Sequence, residues 1–161
     1  MRKLWFSVAV IALAVLAGSA VAAGLPGPMS GGEHFAFGHP GAPGAHVRVI
    51  HIQALDLSFE PKSITVQRGE TVKFVITNKS PVTHEFVIGD PVLQTEHEKE
   101  MQTMPGMPMH DVNGVALPPG LTRELVWTFT RDGVVEYACH MPGHFAAGMV
   151  GKIIIQSSRH R

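Results

Sequence analysis

Cys139-His140-Met141-Pro142-Gly143-His144-Phe145-Ala146-Ala147-Gly148-Met149 is the stretch on which the reading of this chain turns. It contains the sole cysteine, with His144 and then Met149 following, each after four intervening residues. A thiolate, two imidazoles and a weak axial thioether make the trigonal site in which a protein holds one redox-active copper ion. The stretch supplies three of those four donors. The expectation is one copper ion held by Cys139, His144, Met149 and a second histidine from elsewhere, on a fold rigid enough to bring them together.

Immediately before the stretch, residues 134–139 alternate in character. Val135, Tyr137 and Cys139 share one face of a strand, and Glu136, Ala138 and, by extension, His140 share the other. The apolar face belongs to the core, so Cys139 points inward and His140 outward to the surface. That parity selects His144 over His140 as the loop ligand. Pro142-Gly143 is a turn pair that folds the chain back, and Gly148 lets it bend before a last strand over residues 150–156.

The missing histidine has several candidates: His34, His39, His46, His51, His84, His97, His110 and His160. His84 lies on a strand over residues 83–88, on the same face as Phe86 and Ile88. A histidine on that side needs a partner for its ring nitrogens. A hydrogen-bonded core histidine is the plain alternative, but a soft-donor loop in the same chain favours His84 as the fourth ligand.

The period of two extends through the rest of the chain. Strands are expected over residues 47–55, 64–67 and 71–77, and one is built on Leu125, Trp127 and Phe129. Turns fall at Arg68-Gly69-Glu70 and Arg131-Asp132-Gly133. Short alternating strands separated by turn signals indicate an all-β antiparallel sandwich or barrel. Residues 90–113 break the pattern. Leu93, His97, Met101 and Met104 fall at helical spacing, which predicts a short helix over 92–104 with Met101 and Met104 packing it onto the sandwich. Met107, Met109 and His110 follow on a Pro-Gly loop. Thioethers suit Cu(I), so these three could form a second, labile Cu(I) site, or simply be loop residues.

At the start of the chain, Arg2 and Lys3 precede an apolar run and then Ala20 and Ala22 in an A-x-A arrangement. This is read as a secretory signal peptide over residues 1–22, which places the mature protein in the periplasm. The run is short for a bilayer span of about 20 residues. Residues 23–46 are rich in Gly, Pro and Ala with scattered histidines and are expected to form a flexible arm, leaving one domain over 47–157. Thirteen Lys and Arg balance thirteen Asp and Glu, so no basic stripe suggests nucleic acid as a partner. A lone cysteine excludes an internal disulfide. In an oxidising compartment its thiol must be protected or occupied, and a bound metal does both.

On these residues the chain resembles the cupredoxins. The Cys139-x4-His144-x4-Met149 loop, with Pro142-Gly143, Gly148 and Gly151-Lys152-Ile153, is similar to that of rusticyanin and its relatives. His84-Glu85-Phe86-Val87-Ile88-Gly89, the Met-rich insertion and Leu125-Val126-Trp127-Thr128-Phe129 resemble the periplasmic copper-tolerance cupredoxins of the CopI type. The resemblance covers residues 47–156. It implies a Greek-key β-sandwich with one helical insertion, a type 1 copper held by His84, Cys139, His144 and Met149, and a monomer that is not an enzyme. One departure stands out: Glu85 occupies the position where many cupredoxins have an Asn or Ser that bridges to the cysteine loop. The expected role is copper tolerance, with electron transfer between periplasmic redox partners as the alternative. A partner would dock on the apolar rim of Met141, Pro142 and Phe145. An oxidase or nitrite reductase would need a further histidine cluster, and the chain has no His-x-His pair.

Overall fold

The computed structural model describes residues 35–44, 46–104 and 111–158. The expected signal peptide, most of the expected arm, His34, the Met107, Met109 and His110 group and His160 lie outside the described residues.

Alternating burial builds the strands. In Thr71–Asn78 (β5) every second residue is fully inside, with Val72, Phe74 and Ile76 in the core. The same alternation sets Arg48–Ala54 (β2) and Val150–Gln156 (β10). The remaining strands are Gly38–Pro40 (β1), Phe59–Glu60 (β3), Ser63–Gln67 (β4), His84–Gly89 (β6), Gly114–Leu117 (β7), Thr122–Phe129 (β8) and Gly133–Ala138 (β9). They form two five-stranded sheets, in the orders β1-β8-β5-β2-β3 and β4-β10-β9-β6-β7. Their inner faces share one hydrophobic core. Phe74 of one sheet meets Phe86 of the other at 5.5 Å between ring centroids. Phe59 meets Tyr137 edge-on at 5.4 Å.

The sandwich matches the expectation, and its sheets are mixed rather than purely antiparallel. β2 runs parallel to β5, and β4 runs parallel to β10. Period-two patterning cannot separate the two cases, because alternation of faces is common to both. Three strands were not anticipated. β1, β3 and β7 have only 3, 2 and 4 residues, too few for a periodic signal.

The expected arm ran through residue 46, yet Phe35 and Phe37 lie against Trp127, with centroids 5.4 and 5.5 Å away. Gly38, His39 and Pro40 pair with Phe129, Thr128 and Trp127. A Cβ on Gly38 would lie 2.2 Å from the Thr128 carbonyl oxygen, so only glycine permits this approach. Two aromatic rings, hidden in a Gly- and Pro-rich sequence, anchor the segment.

The helical insertion is Pro91–Thr103 (α1). Asp90 caps it, its carboxylate accepting from the Val92 and Leu93 amides at 3.0 Å each. α1 lies on the outer face of the second sheet, against β6 and β9. All six residues of β6 are therefore buried, on the core side and on the helix side alike. The helix packs through Leu93, Gln94, His97, Glu98 and Met101. Met104, expected to pack, is 46% exposed because the helix ends there. Among the described residues no helix is long and apolar enough to cross a membrane.

Candidate metal centre

Cys139 directly follows β9, His84 opens β6, and His144 sits on the loop between β9 and β10. β6 and β9 are hydrogen-bonded neighbours, which brings two residues 55 positions apart onto one end of one sheet. Cys139 Sγ lies 3.7 Å from His84 Nδ1 and 3.4 Å from His144 Nδ1, and the two Nδ1 atoms are 3.2 Å apart. Among the described residues, these three form the one group of His, Cys, Asp or Glu side chains whose donor atoms all lie within 4.8 Å of one another. His84 and Cys139 are fully buried and His144 is half-buried.

The loop holds its shape through its own backbone. The His144 amide donates to Met141 O at 2.9 Å, and the Met149 amide to His144 O at 3.0 Å. The Cys139 amide donates to Met149 O at 3.2 Å. Met149 therefore ties Cys139 and His144 together, and its side chain is fully buried in the core cluster that includes Cys139. Gly143 and Gly148 turn the chain with φ of 83° and 87°, left-handed values that L side chains rarely adopt.

The surrounding contacts orient the donors. Ser80 Oγ lies 2.7 Å from His84 Nε2 and 3.2 Å from Val82 O. The hydroxyl has one proton, and Val82 O can only accept it. With the ring proton on Nε2, Ser80 Oγ accepts it and His84 Nδ1 has a free lone pair facing Cys139. Asn78 holds Ser80 in place, its Oδ1 accepting from the Ser80 amide at 2.9 Å. Its Nδ2 donates to Val82 O and Leu117 O at 2.7 and 2.8 Å. Neither Ser80 nor Asn78 was picked out from the sequence. Asn78 left a signal, because it continues the inward parity of Val72, Phe74 and Ile76, where a polar side chain needs buried partners. The contact across to the cysteine comes from the main chain: the Glu85 amide donates to Cys139 Sγ at 3.4 Å. A Glu in place of Asn or Ser at position 85 leaves that bond intact.

Burial pushes the Cys139 thiol up to about 11, against the pull of the Glu85 and Met141 amides. Burial also lowers the His84 ring below its ordinary value, and His144 beside it adds to the effect. Two imidazoles and a thiol converge with no acid or cation among them. Such a set disfavours protons and suits a soft-to-borderline metal ion. The residues present therefore fit a copper ion, and the donor chemistry itself makes the fit.

His140 corrects an expectation. Strand parity turns it away from the core as anticipated, but it is 1% exposed, because α1 covers that face. Its Nδ1 lies 2.9 Å from Glu98 Oε2 and its Nε2 2.7 Å from Gln94 Oε1. Beside it His97 Nε2 lies 3.8 Å from Glu85 Oε2, too far for a hydrogen bond. The Glu85 carboxylate raises the proton affinity of His97 above the ordinary histidine value, burial opposes that, and Asp111 and Glu100 reinforce it. Around the candidate centre, Pro142 is exposed while Met141 and Phe145 are half-buried.

Residues 46–156 match the copper-binding proteins of the plastocyanin/azurin family. The chain is similar to the copper-resistant cuproprotein CopI of Rubrivivax gelatinosus, 42% identical over 121 residues that span 74% of this chain and 73% of the relative. The CopI of Pseudomonas aeruginosa is 35% identical over 150 residues, covering 75% of this chain and 83% of its own length. Among solved structures, auracyanin B superposes with a TM-score of 0.62 at 20% identity, over 74% of this chain and 96% of that one. Auracyanin A, a "blue" copper protein from Chloroflexus aurantiacus, gives 0.56 at 23% identity, over 66% and 97%. At those identities the auracyanins report the fold alone.

Proposed function

The chain belongs to the plastocyanin/azurin family of copper-binding proteins, as a cupredoxin of the CopI type, and from that premise we propose that it binds one type 1 copper ion and serves copper tolerance in the periplasm. His84, Cys139, His144 and Met149 would hold the ion. The observation that carries the reading is the convergence of two imidazole nitrogens and one buried sulfur within 3.7 Å of one another at the ends of β6 and β9. The names of the CopI relatives support the role in copper resistance.

Bound copper supplies one-electron exchange between Cu(II) and Cu(I), and the protein's part is to hold the donors still. Ser80 keeps the His84 lone pair aimed at the site. The Glu85 amide donates to the sulfur and stabilises its thiolate form. The core around Cys139 and Met149 excludes water. The half-buried edge of His144, rimmed by Met141, Pro142 and Phe145, is the route by which a redox partner exchanges an electron. The protein acts by binding and electron exchange rather than as an enzyme. It does so as a monomer released by cleavage after Ala22.

Adding Cu(II) to the purified mature protein tests the ligand set. An intense visible thiolate-to-copper absorption should appear, with one copper per chain, and Cys139→Ser should abolish it. A colourless protein with Cys139 intact would refute the type 1 reading. Loss of the gene should sensitise cells to copper while respiration at low copper stays normal. The reverse phenotype would make electron transfer the main role.

A further inference from the structure

The ligand set leaves one buried polar constellation without a purpose. His140 directly follows Cys139, faces away from the donor cluster and is 1% exposed. Its ring is held on several sides. Gln94 Oε1 is 2.7 Å from Nε2. The amide nitrogen of Gln94 donates to Val87 O and Glu136 O at 3.0 and 3.2 Å. Its oxygen is therefore the acceptor, and His140 Nε2 donates. Nδ1 lies within hydrogen-bond distance of Glu98 Oε2, at 2.9 Å. Phe145 packs on the ring at 4.6 Å and 31° between planes, and the His97 ring meets it edge-on at 4.9 Å and 79°.

We infer that His140 is a positioning residue which, together with Gln94 and Glu98 of α1, clamps the metal-binding loop and sets the attitude of Cys139 and His144. This rests on the copper reading given above. Each end of the clamp adjoins a ligand: His140 is covalently next to Cys139, and Phe145 is next to His144. A ring bonded to α1 at both nitrogens and packed on Phe145 restrains both ligands from outside the sheet. The loop's own backbone bonds run through Met141, Gly143, His144, Phe145, Gly148 and Met149, and His140 is held through its ring. An apolar residue at 140 would fill the same space without two polar groups needing partners. What it could not do is fix the ring's rotation. Two hydrogen bonds at opposite nitrogens define that rotation, and contacts beyond the donors themselves tune how a metal is held. The helical insertion thereby becomes part of the copper site, although it supplies no ligand.

Three variants of the full mature protein test the clamp, each loaded with Cu(II). Glu98→Ala removes one anchor while Gln94 keeps its bonds to the sheet, so the fold is retained. Glu98→Gln removes the charge, and its side-chain amide can still hydrogen-bond the ring by donating to Nδ1. His140→Phe keeps the ring packing and loses both bonds. Glu98→Ala and His140→Phe should weaken Cu(II) binding about 10- to 100-fold and shift the thiolate-to-copper absorption bands and the copper hyperfine splitting. Glu98→Gln should restore wild-type spectra. Spectra and affinity unchanged in both disruptive variants, with only a lower melting temperature, would make the constellation mere packing and overturn the clamp. Failure of Glu98→Gln to rescue would overturn it as well, because charge rather than position would then be the cause. If the wild type takes up no copper, the ligand reading fails and the clamp falls with it. A coloured wild type with indifferent variants sinks the clamp alone.

Discussion

Ser80 Oγ lies 2.7 Å from His84 Nε2, and this one contact determines which nitrogen of the ring faces Cys139. A residue in the turn before β6 thus orients a candidate ligand four positions later. Ser80→Ala should cost about 10- to 100-fold in Cu(II) affinity, the usual effect of removing such a support, measured by competition with a chelator. The N–H of His84, buried and left unpaired, should also cost about 1–3 kcal/mol of metal-free stability, read from denaturant unfolding. Unchanged affinity would mean that the loop alone orients His84.

The Cys139 thiol, held up to about 11 by burial, stays protonated near neutral pH in the metal-free protein. Binding copper as the thiolate must therefore expel that proton. In weakly buffered solution one proton should be released from Cys139 per copper bound. The apparent affinity should rise about tenfold per pH unit between about pH 7 and about pH 10. Cys139→Ser should lose that slope. Stopped-flow with a pH indicator and chelator competition across pH provide the two measurements.

His97 has its proton affinity raised by Glu85 beside it. A raised folded value means that the charged ring favours the folded state. This contribution is fully present below the unfolded value of 6.5 and is lost as pH rises through the raised folded value. Wild type should melt above His97→Gln at about pH 5, and the gap should close by about pH 9. A gap that widens with pH would show that His97 is buried neutral.

Phe37 is 4% exposed and stacks on Trp127 at 5.5 Å. Phe37→Ala should therefore cost about 3–5 kcal/mol, and deleting the chain through Pro40 should lower the melting temperature at least as much. Absence of any change would restore the flexible-arm reading for this segment.

Much of this was legible before any tertiary structure. The strands with clear alternation, β2, β4, β5, β6, β8, β9 and β10, lie within a few residues of where their patterns put them. The helix lies where the strand period fails. Parity at Val135 and Tyr137 turned Cys139 inward and nominated His144, and the structure brings both to His84. Legibility stopped where local pattern gives no information. β1 was hidden in a Gly- and Pro-rich segment because its anchor is two aromatic rings reaching a distant strand. The parallel pairings were hidden because alternation is the same for either direction.

The amino-acid sequence by itself nominated the candidate donors, their spacing in the loop and the strand face of Cys139 and His84, because these depend on residue identity and on a period of two along a single strand. Only the tertiary structure decided what covers each face. His140 and Glu85 point outward by parity, yet both are buried, because α1 returns across β6 and β9. The opposite side of the same strands shows the same limit: pairing β6 with β9 places His84 Nδ1 within 3.7 Å of Cys139 Sγ. Orientation is local to a strand, but enclosure and convergence depend on which strands and helices pack together, and that is settled by the whole chain folding at once.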